Sequence, residues 1–433
     1  MGSMGAFENR TMIEQILDSE NMQRAWQRVR SNAGAPGIDG MTVDAFPAFC
    51  RSHWPRIRSM LIEGTYRPAP VRRVFIPKPD GSQRPLGVPT VLDRVIQQAT
   101  AQVLTPLFES GFSEHSYGFR EGRNAHQAVQ SVEAGWKEGR RHAVDCDLKA
   151  FFDTVDHQRL MGQLREKIRD RKVLKLIHRY LVAGVVLPDG TREATPQGVP
   201  QGGPLSPLLA NIVLDPLDKE LERRGHHFAR YADDFLVVVK SPKAAERVMS
   251  SLTRFVEGRL KLTVNRAKSR TAPLNQCDFL GFQIRRGGKA VWSAKALARF
   301  KSRVKEITRR NRGHRVQDVI DELRRYVTGW INYFHISHTY TVAEELAEWI
   351  RRRVRLYFWK QWKQPRTRRR HLLALGIPPG EVHMATRSRK GYWRMSSNSI
   401  LQRALTNQRL HEQGVPDLRT LWIKLHYGSN ARV

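Results

Sequence analysis

Two adjacent carboxylates, Asp233 and Asp234, interrupt an otherwise strand-forming stretch of this chain. Phe228-Ala229-Arg230-Tyr231 precedes them and Phe235-Leu236-Val237-Val238-Val239 follows. Aromatic and β-branched residues favour strands, and Ala232-Asp233-Asp234 is short and polar enough for a tight turn. The segment therefore predicts a β-hairpin whose tip presents both carboxylates at one point. Like charges this close resist joint ionisation unless a cation neutralises them. A pair of Mg²⁺ ions, with Mn²⁺ able to substitute, would do so, and two such ions about 3.5–4 Å apart are the machinery of phosphoryl transfer between nucleotides. A solvated acidic turn is the competing reading, and a lone Asp-Asp pair does not choose between them.

A third carboxylate supports the metal reading. His142-Ala143-Val144-Asp145-Cys146-Asp147 reads as a strand that runs into a turn and then a helix. Two-metal chemistry needs one carboxylate to bridge both ions and others to hold each separately on a rigid base. Asp147 beside the Asp233-Asp234 hairpin supplies that set. Asp145 shares its face of the strand, because side chains alternate, and competes with Asp147 on geometry. Asp153 and Asp156 flank the next helical stretch and read as caps.

The charge balance points to the partner. With 74 Lys and Arg against 41 Asp and Glu, the formal net charge is +33. Such an excess implies a polyanion. A membrane surface is the other polyanion to consider, but no apolar run approaches about 20 residues and no secretory signal is evident. The expectation is a soluble, cytoplasmic protein with no membrane partner. The three cysteines, Cys50, Cys146 and Cys277, are too widely spaced for a zinc set or a disulfide framework.

Around the carboxylates, further motifs follow in order. Ile76-Pro77-Lys78-Pro79-Asp80-Gly81-Ser82-Gln83-Arg84-Pro85 comes first, then Ser116-Tyr117-Gly118-Phe119-Arg120 and the Asp147 segment. Pro196-Gln197-Gly198-Val199-Pro200-Gln201-Gly202-Gly203-Pro204-Leu205-Ser206-Pro207 precedes Tyr231-Ala232-Asp233-Asp234. Asn265-Arg266-Ala267-Lys268-Ser269 and Phe279-Leu280-Gly281-Phe282 close the series. From about Ala33 to the C-terminus this succession resembles the reverse transcriptases encoded by bacterial group II introns, the intron maturase family. The absence of cysteine pairs after Cys277 resembles the shorter, endonuclease-less members encoded by group IIC introns.

The resemblance implies roles beside the physical reading. Asp147, Asp233 and Asp234 take the places of the catalytic, metal-holding carboxylates. Lys78 and Arg84 match the residues that grip the incoming dNTP, which suits a point charge and a bidentate fork for phosphate oxygens. Without the family context, Lys78 is a plain turn lysine in Pro-Lys-Pro-Asp-Gly. Gln201 matches the segment along the nucleotide and template base, although Gln197 begins a similar pair. Phe152 matches an aromatic gate against the 2′-hydroxyl, with a core phenylalanine as the alternative. Lys268 matches a nucleotide or primer contact, against an exposed helix-end lysine. Ser206 and Pro207 read as cap and first residue of the following helix.

The expected fold is α+β: a right-hand polymerase with an antiparallel palm sheet, a helical thumb and a basic tail. Residues 1–63 read as a helical N-terminal extension. Its Gly/Pro-rich loop around Gly34-Ala35-Pro36-Gly37 reads equally as a template or RNA contact and as a simple connection. Residues 64–290 read as fingers and palm, 291–364 as thumb (the maturase domain X) and 365–433 as a basic DNA-binding region. Thr341-Val342-Ala343-Glu344 reads as a capping box. Val342, Leu346, Trp349, Ile350, Val354, Tyr357 and Phe358 then recur at helical spacing as a core face. Arg351, Arg352, Arg353 and Arg355 lie on the rest of that helix; a solvated charged face is the bland reading, and the one-signed excess favours RNA phosphate. Arg368, Arg369 and Arg370, with Tyr392 and Trp393 beyond, suit phosphate contact plus stacking on single strands.

By resemblance the activity is RNA-directed DNA polymerisation, with group II intron RNA, a DNA target and primer, and dNTPs as partners, in a nucleoid-associated bacterial setting. The alternatives are a non-catalytic RNA-binding splicing factor that keeps the fold, and an intron-like reverse transcriptase adapted to DNA repair or defence.

Overall fold

The computed structural model describes residues 10–77, 81, 83–285 and 287–428. The chain divides into two compact units, 1–277 and 278–433. The fold is α+β, with antiparallel pairing dominant in its sheets.

In the first unit, helices Met12–Ile16, Ser19–Ser31 and Phe46–Glu63 lead into the long helix Val91–Glu109, whose buried side chains form much of the core. The Asp18 carboxylate caps the second of these by accepting from the backbone N–H groups of Glu20 and Asn21. The Gly/Pro-rich loop packs inward. The Arg94 Nη2 donates to the Ala35 carbonyl at 2.8 Å, and Gly37 lies so close to Thr90 that a Cβ would stand 2.6 Å from its Cα. That geometry makes the loop a fitted connection to the start of the core helix.

A hairpin of strands Val71–Pro77 and Gln83–Val88, in register Ile76↔Arg84, pairs in parallel with Val185–Val186. Lys78 lies outside the described residues. The larger sheet has the order His227–Tyr231, Asp234–Val239, His142–Cys146, Arg270–Pro273, antiparallel throughout. Val237 and Val238 are both fully buried. Since successive side chains point to opposite faces, both faces of the sheet are covered. Helices Ala125–Lys137 and Pro242–Phe255 pack on it.

Helix Ser206–Arg223 begins one residue earlier than the sequence suggests. Leu205 stands at the cap position, and the Ser206 hydroxyl donates to the Pro200 carbonyl at 2.6 Å instead of capping. Asp156 does cap, accepting from the Arg159 N–H at 2.8 Å. Asp153 lies inside the short helix Phe151–Thr154 and caps nothing there.

The second unit starts with strands Asp278–Phe279, Phe282–Ile284 and Ala290–Trp292, ahead of the boundary at residue 290 read from sequence. The cause is local packing. The Tyr333 hydroxyl donates to the Leu280 carbonyl at 2.9 Å, and the Phe282 and Phe334 rings meet at 5.1 Å. Helices Ala294–Ile307, Val316–Phe334 and Tyr340–Gln361 follow. Leu346, Ile350, Val354, Tyr357 and Phe358 are buried, as the apolar period predicts, while Val342 and Trp349 are half-buried. Thr341 does not cap: the helix starts at Tyr340, and the preceding Thr339 hydroxyl bonds the Ser337 hydroxyl at 2.8 Å.

Beyond residue 365, short helices fold back within the same unit. The last, Leu418–Tyr427, packs on Tyr340–Gln361 and seats Trp422, whose indole N–H donates to the Ser337 carbonyl at 3.1 Å. Among the described residues no helix is long and apolar enough to cross a membrane.

Candidate active site and nucleic-acid interface

The hairpin expected from sequence is present, with Tyr231 and Asp234 as its closing pair. Ala232 adopts a left-handed conformation, φ 59°, which an L-residue rarely takes without support. The support comes from Arg230, whose guanidinium is fully buried. Its Nη1 donates to the Ala232 carbonyl at 2.9 Å and to the Asn211 side-chain oxygen at 2.9 Å. Its Nη2 donates to the Ser116 hydroxyl at 2.7 Å, and its Nε to Asp218 Oδ1 at 2.7 Å. Asp218 is fully buried as well. Every face of the guanidinium fork is thus used to bind the turn to helix Ser206–Arg223 and to the Ser116 segment.

Gly118 completes the cradle. A Cβ there would stand 2.3 Å from the Ala232 nitrogen, so only glycine lets the two backbones approach this closely. The Gly118 carbonyl accepts from Asn211 Nδ2 at 2.9 Å. Sequence reasoning placed Ser116 and Gly118 in a motif without a role and gave none to Arg230, Asp218 or Asn211. The available signal was a charged residue, Arg230, inside a strand whose other positions are apolar or aromatic.

Asp147 follows the central strand. The register pairs Cys146 with Phe235, and one step further sets Asp147 opposite Asp234. Its Oδ2 accepts from Asn265 Nδ2 at 2.9 Å, and its N–H donates to the Ser269 hydroxyl at 3.0 Å. The motif Asn265-Arg266-Ala267-Lys268-Ser269 therefore reaches Asp147 through its first and last residues, while Lys268 is exposed. Asp145 instead faces the Arg270 guanidinium of the neighbouring strand at 3.5 Å.

The electrostatics follow from this crowding. Asp234 keeps an exposed edge, yet its pKa is pushed up to about 7. Loss of bulk water around the carboxylate is the largest cause, and the charges of Asp145, Asp233 and Asp147 add to it. Asp233 is raised chiefly by burial and also by Asp147, while Arg84 and Arg230 oppose the rise. Arg84, exposed on the Gln83–Val88 strand, is thus within electrostatic reach of Asp233.

As the side chains are placed, no three His, Cys, Asp or Glu among the described residues stand close enough to hold a metal ion. The donor chemistry nevertheless fits one. The donors are all carboxylate oxygen, which suits Mg²⁺ or Mn²⁺, and a carboxylate raised to about 7 by loss of bulk water and by neighbouring negative charge is relieved by a cation. Because Asn265 fixes the Asp147 carboxylate, Asn265→Ala should weaken that group as a ligand. The expected result is a 10–100-fold loss of incorporation rate, with half-saturation moved to higher Mg²⁺. Steady-state assays over a Mg²⁺ series check it, and an unchanged curve would assign Asn265 to the fold alone.

The two Gln-Gly pairs have different neighbours. Gly198 packs on the Phe152 turn, with the Val199 N–H donating to the Phe152 carbonyl at 2.6 Å. The Gln201 carbonyl accepts from the Gly87 N–H at 2.7 Å, which ties that loop to the Val71–Val88 hairpin. Phe152 is half-buried and meets the core ring of Phe151 edge-on at 5.1 Å.

In the second unit the arginines of helix Tyr340–Gln361 have internal partners. Arg351 pairs with Asp417 at 3.1 Å. Arg352 stacks on Trp393 at 3.8 Å. Arg353 donates to the Thr308 hydroxyl at 2.9 Å and to the carbonyls of Lys305 and Thr308. Arg355 is buried and donates to the Leu405 carbonyl and the Asn407 side chain.

Arg355 is thereby withdrawn from the surface, while Arg351, Arg352 and Arg353 stay half-buried with internal partners in place. Segments after residue 365 supply the partners of Arg351, Arg352 and Arg355, while Thr308 and Lys305 hold Arg353. Arg368 likewise stacks on Trp359 at 4.4 Å, whereas Arg369 and Arg370 are exposed.

The wider relationships agree with this division. Residues 76–284 match the reverse transcriptase (RNA-dependent DNA polymerase) family, and residues 297–376 match the group II intron maturase-specific domain. The chain is similar to protein YkfC of Escherichia coli K12, 33% identical over 63% of this chain and 82% of that protein. It is similar to the group II intron-encoded protein LtrA of Lactococcus lactis subsp. cremoris, 32% identical over 60% of this chain and 54% of that protein. A putative COX1/OXI3 intron 1 protein of Saccharomyces cerevisiae is 29% identical over 63% of this chain and 32% of that protein. The chain therefore spans most of YkfC and about half of LtrA. With both domains in place and in order, it belongs to the family of group II intron-encoded reverse transcriptases with a maturase domain.

Proposed function

We propose that Asp147, Asp233 and Asp234 form the catalytic centre of an RNA-directed DNA polymerase that works with two divalent cations. The observation that carries this is a buttressed hairpin that sets Asp233 and Asp234 beside Asp147, with Asp234 lifted to about 7 first by loss of bulk water and further by the charges of Asp145, Asp233 and Asp147. Bound Mg²⁺, or Mn²⁺ in its place, supplies the positive charge that favours an ionised primer 3′-hydroxyl and offsets the leaving pyrophosphate.

The chain's own residues do the positioning. Asn265 orients the Asp147 carboxylate, and Arg230 holds the turn that presents Asp233 and Asp234. Arg84, with its charge near Asp233, grips the triphosphate of a dNTP, and Gln201 lies along the nucleotide. Lys78 and Lys268 remain in this reading as triphosphate and primer contacts. Group II intron RNA is the template and maturase partner, and a DNA target would place the protein at the nucleoid of a bacterial cell.

Primer extension on an RNA template tests this. Template-directed dNTP incorporation that stops on chelation is expected. Intron RNA binding without any incorporation would favour the splicing-factor reading. Incorporation that persists in chelator would overturn the metal assignment.

Phe152 sets the sugar preference in this proposal, because a ring under the sugar clashes with a 2′-hydroxyl. Phe152→Val should raise rNTP use relative to dNTP by roughly 10–100-fold. An unchanged ratio in paired steady-state kinetics of the active variant would leave Phe152 as packing against Phe151.

A further inference from the structure

The Arg351–Arg355 row makes internal contacts, and a further group of cations gathers beside it. An open cavity of about 740 Å³ is lined by Arg309, Arg310, Arg353, Lys360, Tyr392 and Trp393. Among the described residues no carboxylate lines it. Arg309 and Arg310 are exposed, following helix Ala294–Ile307, while Lys360 closes helix Tyr340–Gln361. Four cations around one cavity repel one another, and only an anion placed between them relieves that.

The aromatic wall narrows the choice of anion. Arg310 and Lys360 approach the Tyr392 ring at 5.2 and 5.3 Å, so that ring is occupied by cations. Trp393 differs. Arg352 covers one of its faces at 3.8 Å and holds its backbone carbonyl at 3.2 Å, yet the residue keeps 40% of its surface exposed. A part-exposed tryptophan braced by Arg352, beside cations with no carboxylate in the cavity lining, suits a ligand that carries both phosphate and a free π-face. A duplex offers phosphate only, because its bases are stacked and paired. A single strand offers both.

We propose that this cavity is a binding subsite for single-stranded polynucleotide, with phosphates on Arg309, Arg310 and Lys360 and one base stacked on Trp393. The proposal rests on the nucleic-acid reading of the second unit but places its phosphate contacts on Arg309, Arg310 and Lys360, beside the Arg351–Arg355 row. Arg353 belongs to the cavity as its anchored wall, since Thr308 and the carbonyls of Lys305 and Thr308 hold it.

The test uses the full chain and three labelled probes of one sequence: a single-stranded RNA, the corresponding single-stranded DNA and a blunt duplex. Affinities are measured at several salt concentrations. Arg309→Ala with Arg310→Ala should flatten the dependence of log K on log salt for single strands by about 1.4, at about 0.7 per lost phosphate contact. Trp393→Ala should weaken single strands roughly 5- to 100-fold with the salt slope kept, and leave the duplex unaffected. Trp393→Phe should restore most of the loss, which also separates lost stacking from misfolding.

A loss confined to RNA would mean that the 2′-hydroxyl is read in the same subsite, and an equal loss on DNA that backbone and base suffice. Equal weakening of duplex and single strand, or none, would overturn the proposal. Primer extension by the wild-type chain reports on the carboxylate centre separately. Single-strand binding that responds to Trp393 without any incorporation would leave this subsite standing and remove the polymerase reading.

Discussion

Asp234→Asn should lose RNA-templated dNTP incorporation by at least roughly 10²–10³-fold while the protein remains folded, and Asp233→Asn should behave alike. Neither carboxylate is spare, because each cation needs oxygens of its own. The same substitution carries a second, opposite signature in stability. The folded-state pKa of Asp234 is about 7, well above the ordinary carboxylate value near 4. Between those two values the folded chain holds the proton and the unfolded chain does not. The stabilisation is therefore fully present below about pH 4 and lost as the pH rises through 7.

In chelator, wild-type thermal stability should fall between pH 5 and 8, and Asp234→Asn should lack that share of the fall. The variant would thus be inactive and yet more stable than wild type at pH 8. Retained incorporation would remove this hairpin from the active site. A variant whose stability falls with pH as steeply as the wild type would mean that the Asp234 carboxylate is not the strained group.

Arg230→Met should be the most damaging single change outside the carboxylates. It leaves Asp218 charged, buried and without its partner, and breaking such a pair costs about 3–5 kcal/mol. It also removes the donors to Ala232, Asn211 and Ser116. A second variant separates stability from positioning. Arg230→Met with Asp218→Leu replaces the whole ion pair by apolar groups and should recover much of the stability. Incorporation should stay low, since nothing then supports the left-handed turn at Ala232. Arg230→Lys should fall between, because an ammonium cannot reproduce the guanidinium fork. Denaturant unfolding with primer extension on the same samples reads both. A double variant with wild-type activity would mean that Arg230 serves the fold alone.

What could be read from sequence was what local chemistry determines. The hairpin was legible because aromatic and β-branched runs flank a short polar turn, and the carboxylate strand because its apolar positions alternate. The helical period from Val342 to Phe358 marked a core face, and Leu346, Ile350 and Val354 are buried there.

The remainder depends on partners distant in the chain. Arg230 finds Ser116, 114 residues away, and Asp147 finds Asn265, 118 residues away. No periodicity encodes which distant group satisfies a buried charge. The internal partners of the arginine run were hidden for a related reason. A row of like charges looks solvated until other helices cover it, and the helices after residue 365 carry the carbonyls and carboxylate that absorb it. The capping box read at Thr341 and the cap read at Ser206 failed because the helices begin one or two residues earlier, and the Ser206 hydroxyl goes to the Pro200 carbonyl instead.

The cradle around the hairpin also sets when this centre comes into existence. Its parts leave the ribosome in the order Gly118, Asp147, Arg230 with the paired carboxylates, and last Asn265 with Ser269. At about 5–20 residues per second, the interval from the first to the last is roughly 8–30 s of synthesis. During that time Asp147 lacks the amide that orients it, and before Arg230 emerges the Gly118 backbone has no turn to close upon. A nascent chain therefore cannot complete this cradle until the strand Arg270–Pro273 docks at the sheet edge. Ordering the cradle through its last-made piece makes the bonds that orient Asp147 a property of nearly completed first units only.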